Sequence, residues 1–248
     1  MPDHRESLWQ EFARAAPGFA ERTRGRFDAL DVPGFAQPSP GDRVLEVGCG
    51  TGNFLLLFHG DGRTLVGVDL SAEMLTEARR HDALLLVQGD GFRLPFSARA
   101  FDLATSAQAL HHVHRPVPLL REMLRVTSDE GRIVIVDQLG PESYEQLAFM
   151  NELEILRDPS HATSRPLSAF RIVLAAAGVE IVDDRVHSER SRLSKWMWPG
   201  EFPEERIAAV RRFIERFGAE TGMEFERDGD DWIFTRRRVL LLGRRPSR

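Results

Sequence analysis

From residue 43 onward, apolar positions along the chain switch repeatedly between two spacings. Short β-type runs at 43–47, 64–68, 83–88, 101–105 and 132–137 alternate with stretches at 52–59, 72–81 and 116–126, where apolar residues recur every three to four positions. Strands alternating with helices predict parallel pairing and a sheet covered by helices on both faces. The alternation breaks at 141–165, a proline-containing and charged stretch that reads as an inserted cap. It resumes with a helix at 167–177, closed by Gly178 as a left-handed C-cap. A strand at 179–186, a helix at about 203–217 carrying Ile207, Val210, Phe213, Ile214 and Phe217, and a last strand at 232–242 complete the series. The last two strands pair as a long hairpin, so the expected architecture is α/β: a doubly wound, seven-stranded, mostly parallel sheet with an antiparallel edge strand and a small cap.

Ahead of this core, residues 6–30 show helical spacing, with Leu8, Trp9, Phe12, Ala15 and Ala16 on one face and a break at Pro17-Gly18. A Pro/Gly-rich connector at 32–41 follows. The expected organisation is an N-terminal helical cap and linker over 1–40 and one main domain over 41–248, with the cap insertion at about 141–165.

Composition narrows the classes of function. The 248 residues are 42% hydrophobic and 29% charged, enough for a real core, and the net charge is -5. An acidic balance speaks against nucleic acid as the main partner, since counterion release needs a concentrated basic face. The arginines at the two ends, Arg22, Arg24 and Arg26 and then Arg236 to Arg238, read as solvated surface. The one cysteine, Cys49, excludes an intrachain disulfide and a cysteine-built metal site. No apolar run approaches the roughly 20 residues a membrane span needs, and the charged N-terminus lacks a signal-peptide core. A cytoplasmic protein is expected, with no metal.

The most informative local pattern is Leu45-Glu-Val-Gly-Cys-Gly-Thr-Gly52, placed between the first strand and the first helix. Glycines there permit positive φ and close approach of backbone to a ligand. Position 53, where a dinucleotide fingerprint wants its third glycine, is Asn53, and no Walker lysine follows. Glu46 is unwelcome beside a pyrophosphate but suits a cationic ligand or an ordered loop. Asp69 ends the second strand, where a carboxylate accepts from ribose hydroxyls in doubly wound folds; Asp69-Leu70-Ser71 also reads as a helix cap with Ser71 as N-cap.

Together with Val66-Gly-Val-Asp-Leu-Ser71, Gly89-Asp-Gly91, Leu94-Pro-Phe96, Phe101-Asp102, Leu110-His-His112 and the stretch from Leu120 to Gly131, that loop resembles the class I S-adenosylmethionine methyltransferases, of the ubiquinone/menaquinone-biosynthesis-like small-molecule subgroup. Glu154 to His161 is similar to one branch of small-molecule methyltransferase-like proteins. The resemblance implies a Rossmann-like fold and S-adenosyl-L-methionine as cofactor, with S-adenosyl-L-homocysteine as product. It implies that Glu46, Gly48, Gly50 and Gly52 shape the methionine pocket and that Asp69 holds the ribose. Leu70 and Met74 would pack on the adenine, Asp90 would accept from its amino group with Gly91 and Phe92 at the ring edge, and Gln108 would face the methionine or sulfonium. Met74 and Phe92 read equally as core residues. No Asn-Pro-Pro-Tyr motif is present, which weakens nucleic-acid amino groups as acceptors.

Methyl transfer from a sulfonium is an in-line displacement in which alignment and desolvation do most of the work. A general base is needed only for an acceptor that carries a proton. His111 and His112 are the candidate catalytic residues, with His114 beside them and His161 in the cap as a further candidate. The cap and the N-terminal helix, with Trp9 and Phe12, are the parts expected to close over a small-molecule acceptor. A cofactor-binding protein without turnover and a nicotinamide-dependent oxidoreductase are the alternatives.

Overall fold

The computed structural model describes residues 16, 18–197 and 202–246. Leu8, Trp9, Phe12 and Ala15 of the expected N-terminal helix, and Trp198, lie outside the described residues.

The strands are β1 (Arg43–Val47), β2 (Thr64–Asp69), β3 (Leu84–Gln88), β4 (Phe101–Ala107), β5 (Thr127–Gln138), β6 (Glu180–Arg192), β7 (Glu226–Asp228) and β8 (Asp231–Arg244). They form one sheet in the order β3-β2-β1-β4-β5-β8-β6, and short β7 pairs with the start of β8. The pairs from β3 to β5 are all parallel. β8 runs antiparallel to both β5 and β6. Antiparallel pairing is thus confined to one end of the sheet, where β6 is the outermost strand and β8 lies inside it.

The α-helices are α1 (Val32–Ala36), α2 (Ala72–Ala78), α3 (Pro116–Val126), α4 (Tyr144–Arg157), α5 (Leu167–Ala177), α6 (Leu193–Trp196) and α7 (Glu204–Phe217). Strand alternation assigns the two faces. Leu45, Val66, Ala104, Ile133 and Ile135 join Leu120 and Met123 of α3 and Phe170 and Leu174 of α5 in one apolar cluster. Val44, Leu65, Leu103, Val134 and Val136 point the other way, onto Val32 and Phe35 of α1 and onto Phe54, Leu55 and Phe58. A third cluster lies off the main sheet and joins Met150 and Leu153 of α4, Trp196, Val210, Phe213 and Ile214 to Phe234 of β8. Gly178 takes φ 86° and ends α5 as its position predicts.

Short β7 makes the sheet eight-stranded where seven strands were expected, helix α1 forms inside the expected connector at 32–41, and three further expectations change. The helix read at 52–59 is only a 3₁₀ turn, Leu55–Phe58. Leu55 and Phe58 are the core-facing pair, and residues three apart line up in a 3₁₀ turn. Asn53 just before it is held by donating its side-chain amide to the Ala20 carbonyl (2.7 Å) and the Thr23 hydroxyl (2.8 Å). Second, β5 begins five residues before the expected strand at 132. Third, β6 runs six residues past 186 through His-Ser-Glu-Arg-Ser-Arg, which has no apolar alternation to read. That extension is carried by ladder pairing with β8 and by ion pairs such as Arg190–Glu226 (2.7 Å) and Arg192–Asp228 (2.6 Å).

Strand order reverses between β1 and β4, and a crevice opens beyond the carboxyl ends of these two strands, as in other doubly wound sheets. The candidate site surrounds that crevice.

Candidate active site

The loop leaving β1 is folded by its own backbone. Gly48 and Cys49 both donate their N–H to the Val68 carbonyl (2.8 and 3.1 Å), which presses the turn against the end of β2. Gly50 sits at φ 51°, and a Cβ there would meet nothing within 4 Å, because that side of the turn is open space. Its N–H donates to Asp69 Oδ2 (2.7 Å), while Asp69 Oδ1 accepts from Ser71 N (2.9 Å). Ser71 caps α2 by accepting from Met74 N (3.1 Å). Asp69 therefore organises both the loop and the helix start while lining the crevice, a cavity of about 1080 Å³. Burial pushes its carboxyl up from the usual range.

Glu46, on β1 beneath the turn, is 1% exposed, and its Oε2 has no hydrogen-bond partner among the described residues. Burial first, then the charge of Asp69, push its carboxyl well above the ordinary value. A buried acceptor without a partner is costly. The carboxyl takes a backbone hydrogen bond from Leu55, and the residue lines the cavity.

At the adenine end expected from the motif, Asp90 accepts from Phe92 N (2.9 Å), and Gly91 lets the chain run close to Val47, whose Cγ1 would lie 2.8 Å from a Cβ. Leu70 and Phe92 are large apolar side chains that remain 37% and 43% exposed at the cavity wall, with Met74 buried beneath. Of the predicted cofactor residues, Glu46, Gly48, Gly50, Asp69, Leu70, Met74, Asp90, Gly91, Phe92 and Gln108 all line this one cavity. Gly52 does not; it packs toward Leu84, where a side chain would collide. Cys49 is buried against Gly67 at the cavity wall, and burial raises its thiol well above the usual value.

The opposite wall begins at Gln108, which follows β4 at φ 52°. Its Oε1 accepts from Arg26 Nη2 (3.0 Å), and its Nε2 is buried with no partner among the described residues. His111 comes next, in a 3₁₀ turn. Its Nδ1 lies 2.6 Å from Asp137 Oδ1 and its backbone N–H donates to Asp137 Oδ2 (3.2 Å). Asp137 is fully buried at the end of β5. Burial would raise its pKa, but the neighbouring imidazole and the hydrogen bonds from His111 and Gln138 N outweigh burial and hold it below the usual range. With Asp137 ionised, Nδ1 is the donor of this pair.

His112 and His114 also line the cavity. His112 Nδ1 meets the Ser160 carbonyl at 3.0 Å, and burial, followed by the charge of His111, lowers its pKa to about 3. His161, read from the sequence as a cap base, is outside the cavity wall. It bonds Asn151 Oδ1 (3.0 Å) and sits 5.6 Å ring to ring from His111, with its pKa lowered by burial to about 4.

The largest departure concerns the arginines read as surface. Arg22, Arg26, Arg236 and Arg238 line the cavity and are partly or fully buried, Arg238 being only 3% exposed, whereas Arg24 at the cavity mouth is exposed as expected. β8 explains the last two: residues two apart share a face, so Arg236 and Arg238 point inward with Phe234 while Arg237 turns away to Glu224. Strand periodicity in the Arg-Arg-Arg run was the signal available for this. Arg157 and Trp196, which sequence reading did not single out, also line the cavity.

Residues 45–135 match the model of a methyltransferase domain. Over 211 residues the chain is 31% identical to the methyltransferase YcgJ of Bacillus subtilis, covering 81% of this chain and 83% of that one. It is 41% identical over 119 residues to a demethylmenaquinone methyltransferase of Beutenbergia cavernae, covering 48% and 47% of the two chains. A crystal structure from Bacillus halodurans, described as a methyltransferase, superposes with a TM-score of 0.81 at 25% identity, covering 89% of this chain and 99% of that one.

Proposed function

This chain belongs to the class I S-adenosylmethionine-dependent methyltransferases, and from that premise we propose that it moves a methyl group from S-adenosylmethionine by in-line displacement onto a small organic acceptor, releasing S-adenosylhomocysteine. The observation that carries the reading is Glu46 Oε2, buried and without a hydrogen-bond partner among the described residues, in the same cavity wall as the open side of the Gly50 turn. A carboxyl in that position fits the ammonium of an amino-acid cofactor and disfavours a pyrophosphate. The short 3₁₀ turn after the loop offers no extended helix N-terminus for phosphate, which further disfavours a nicotinamide dinucleotide.

In this reading Glu46 and the backbone of Gly48 and Gly50 hold the amino-acid part, and Asp69 takes the ribose. Leu70, Met74, Asp90, Gly91 and Phe92 form the adenine slot, with Gly52 supporting the turn from below. The sulfonium supplies an already activated methyl donor. Gln108 faces it from the end of β4 and closes the boundary with the acceptor.

His111 is the general base for an acceptor that carries a proton. Asp137 fixes its ring and tautomer and stabilises the imidazolium once Nε2 has taken the proton. His112 is a poor base at neutral pH, because a group with a pKa of about 3 holds protons weakly. It shapes the wall and anchors Ser160. The described part of the N-terminal segment that lines the cavity, with Phe19, Arg22 and Arg26, and the insertion at about 141–165, with Arg157 and Ser160, cover the acceptor and exclude water, as a cap over a main domain of residues 41–248.

Calorimetric titration with S-adenosylmethionine tests the pocket. The parent protein is expected to bind, and Asp69→Ala, with its fold checked by circular dichroism, is expected to lose measurable binding. Equal affinity in a folded Asp69→Ala protein, or preference for a nicotinamide cofactor, overturns the assignment.

A further inference from the structure

The cavity wall remote from the glycine turn carries far more cationic groups than a neutral acceptor requires. Arg236 and Arg238 project from β8, Arg157 from the last turn of α4, and Arg26 from the N-terminal segment. Arg238 Nη2 reaches Glu189 Oε1 at 2.8 Å, and Arg236 Nη1 lies 3.9 Å from the same oxygen. Arg157 pairs with Glu154 (3.0 Å) and lies 3.9 Å from Asp158, whose Oδ1 also takes the Ser160 amide and hydroxyl. Arg26 has a neutral amide as its hydrogen-bond partner, Gln108.

One carboxylate oxygen thus serves two guanidiniums, and donors stay unspent. Arg238 Nε, on a residue 97% removed from solvent, has no partner among the described residues, and neither has Gln108 Nε2. Like charges packed this tightly repel. Burial and then the neighbouring charges of Arg236, Arg238 and Arg157 depress the Arg26 guanidinium, and burial with Arg238 lowers Arg236 to about 10. The guanidinium carbon of Arg157 lies over the Trp196 ring, 4.6 Å from its centroid, a cation–π contact within the same wall. Planar forks held by aromatic and strand backbone are the usual device for gripping an oxyanion.

We propose that Arg157, Arg236 and Arg238 form a subsite for an oxyanion carried by the methyl acceptor, so that the substrate is a small carboxylic acid or phosphate ester. The proposal rests on the methyl-transfer reading above and adds the substrate's charge to it. The anion supplies the acceptors that Glu189 alone does not, and it fixes the acceptor by its charged end. The reacting atom is then free to lie between His111 and the sulfonium. Arg26 and Gln108, nearer the cofactor turn, bridge the two halves of the cavity.

The test uses the full chain loaded with S-adenosylhomocysteine and titrated with inorganic phosphate and with succinate, at ionic strength held constant with chloride. Parent protein is expected to bind at least one of the two saturably and without displacing S-adenosylhomocysteine. Phosphate preferred over succinate assigns a phosphate ester, and the reverse assigns a carboxylic acid. Arg238→Gln and Arg236→Gln are each expected to weaken that binding about tenfold or more while S-adenosylhomocysteine affinity stays within about twofold. Arg238→Lys should recover part of the loss, and exposed Arg212→Gln should change nothing. Absence of saturable binding, binding that competes with S-adenosylhomocysteine, or full binding by Arg238→Gln overturns the subsite. Failure of the parent to bind S-adenosylhomocysteine at all overturns the methyl-transfer reading as well, so the two failures are told apart by the first titration.

Discussion

The two walls of the cavity reach their shape by different physics. On the proposed cofactor wall, the contacts run to backbone within one strand–turn–strand: Asp69 accepts from Gly50 N and Ser71 N, Asp90 accepts from Phe92 N, and Gly48 and Cys49 donate to the Val68 carbonyl. On the acceptor wall the partners are far apart in sequence. His111 meets Asp137, His112 meets Ser160, and Arg238 meets Glu189. A turn held by local amides is pre-formed once two strands pair. A wall held by long-range ionic contacts exists only when α4, β5, β6 and β8 are all in register.

Substitutions should separate the walls cleanly. The largest effect is expected from Gly50→Val, which puts a β-branched residue at φ 51° and a side chain into the cavity; no S-adenosylmethionine binding should be measurable by calorimetry. Binding within tenfold of the parent would show that the open side of the turn is not where the cofactor lies. On the other wall, His111→Gln should lower methyl transfer by roughly 10²–10⁴-fold with cofactor affinity unchanged. Transfer of label from methyl-labelled cofactor into a metabolite extract gives the rate. Asp137→Asn, which removes the charge that stabilises the imidazolium, should approach the same loss, and an undiminished rate in either variant removes the base from the mechanism.

Acid should affect the acceptor wall first. In the unfolded chain His112 and His161 take up protons near pH 6.5, whereas in the folded protein burial lowers them to about 3 and about 4. Between these values the unfolded state binds more protons. Stability therefore rises with pH through that window and is lost as the pH falls from 6.5 toward 4, by up to about 1.4 kcal/mol per pH unit for each fully titrating site. Asp137, held below the usual range, adds a further loss only below about pH 4. Urea unfolding at pH 6.5 and 5 should show the decline, and His112→Gln should flatten it; an unchanged slope in that variant would reassign the proton uptake. The smallest effect is expected at Cys49→Ala, with cofactor affinity within about threefold of the parent and about 1 kcal/mol lost from an imperfectly filled site. A thiol reagent should label Cys49 in the parent only as fast as the protein opens.

How far the sequence could be read follows the same division. α3 and α5 match their predicted limits because apolar residues at three-to-four spacing sit between clear signals, a proline at the first turn of one and Gly178 beyond the other. The glycine turn, Asp69 and Asp90 were legible because each lies at the end of an apolar strand, where the chain must turn and a polar group needs a reason. The far end of β6 was not, because His187 to Arg192 contains no apolar residue and becomes a strand only through its partner β8. The arginines were misread for a related reason. Charge alone says solvent, and only the pairing of Arg236 with Glu189 and of Arg238 with His187 turns those side chains inward.

Residues within one strand–turn–helix of each other are enough to set the two-sided sheet, most of its alternation of strands and helices, and the glycine turn. The tertiary structure alone decided that Asp137 meets His111, that Gly52 supports the turn from outside the cavity, and that the arginines from both ends of the chain share one wall. Local spacing sets local backbone, whereas a buried ion pair needs two distant segments brought within 4 Å, and only the completed fold sets that distance.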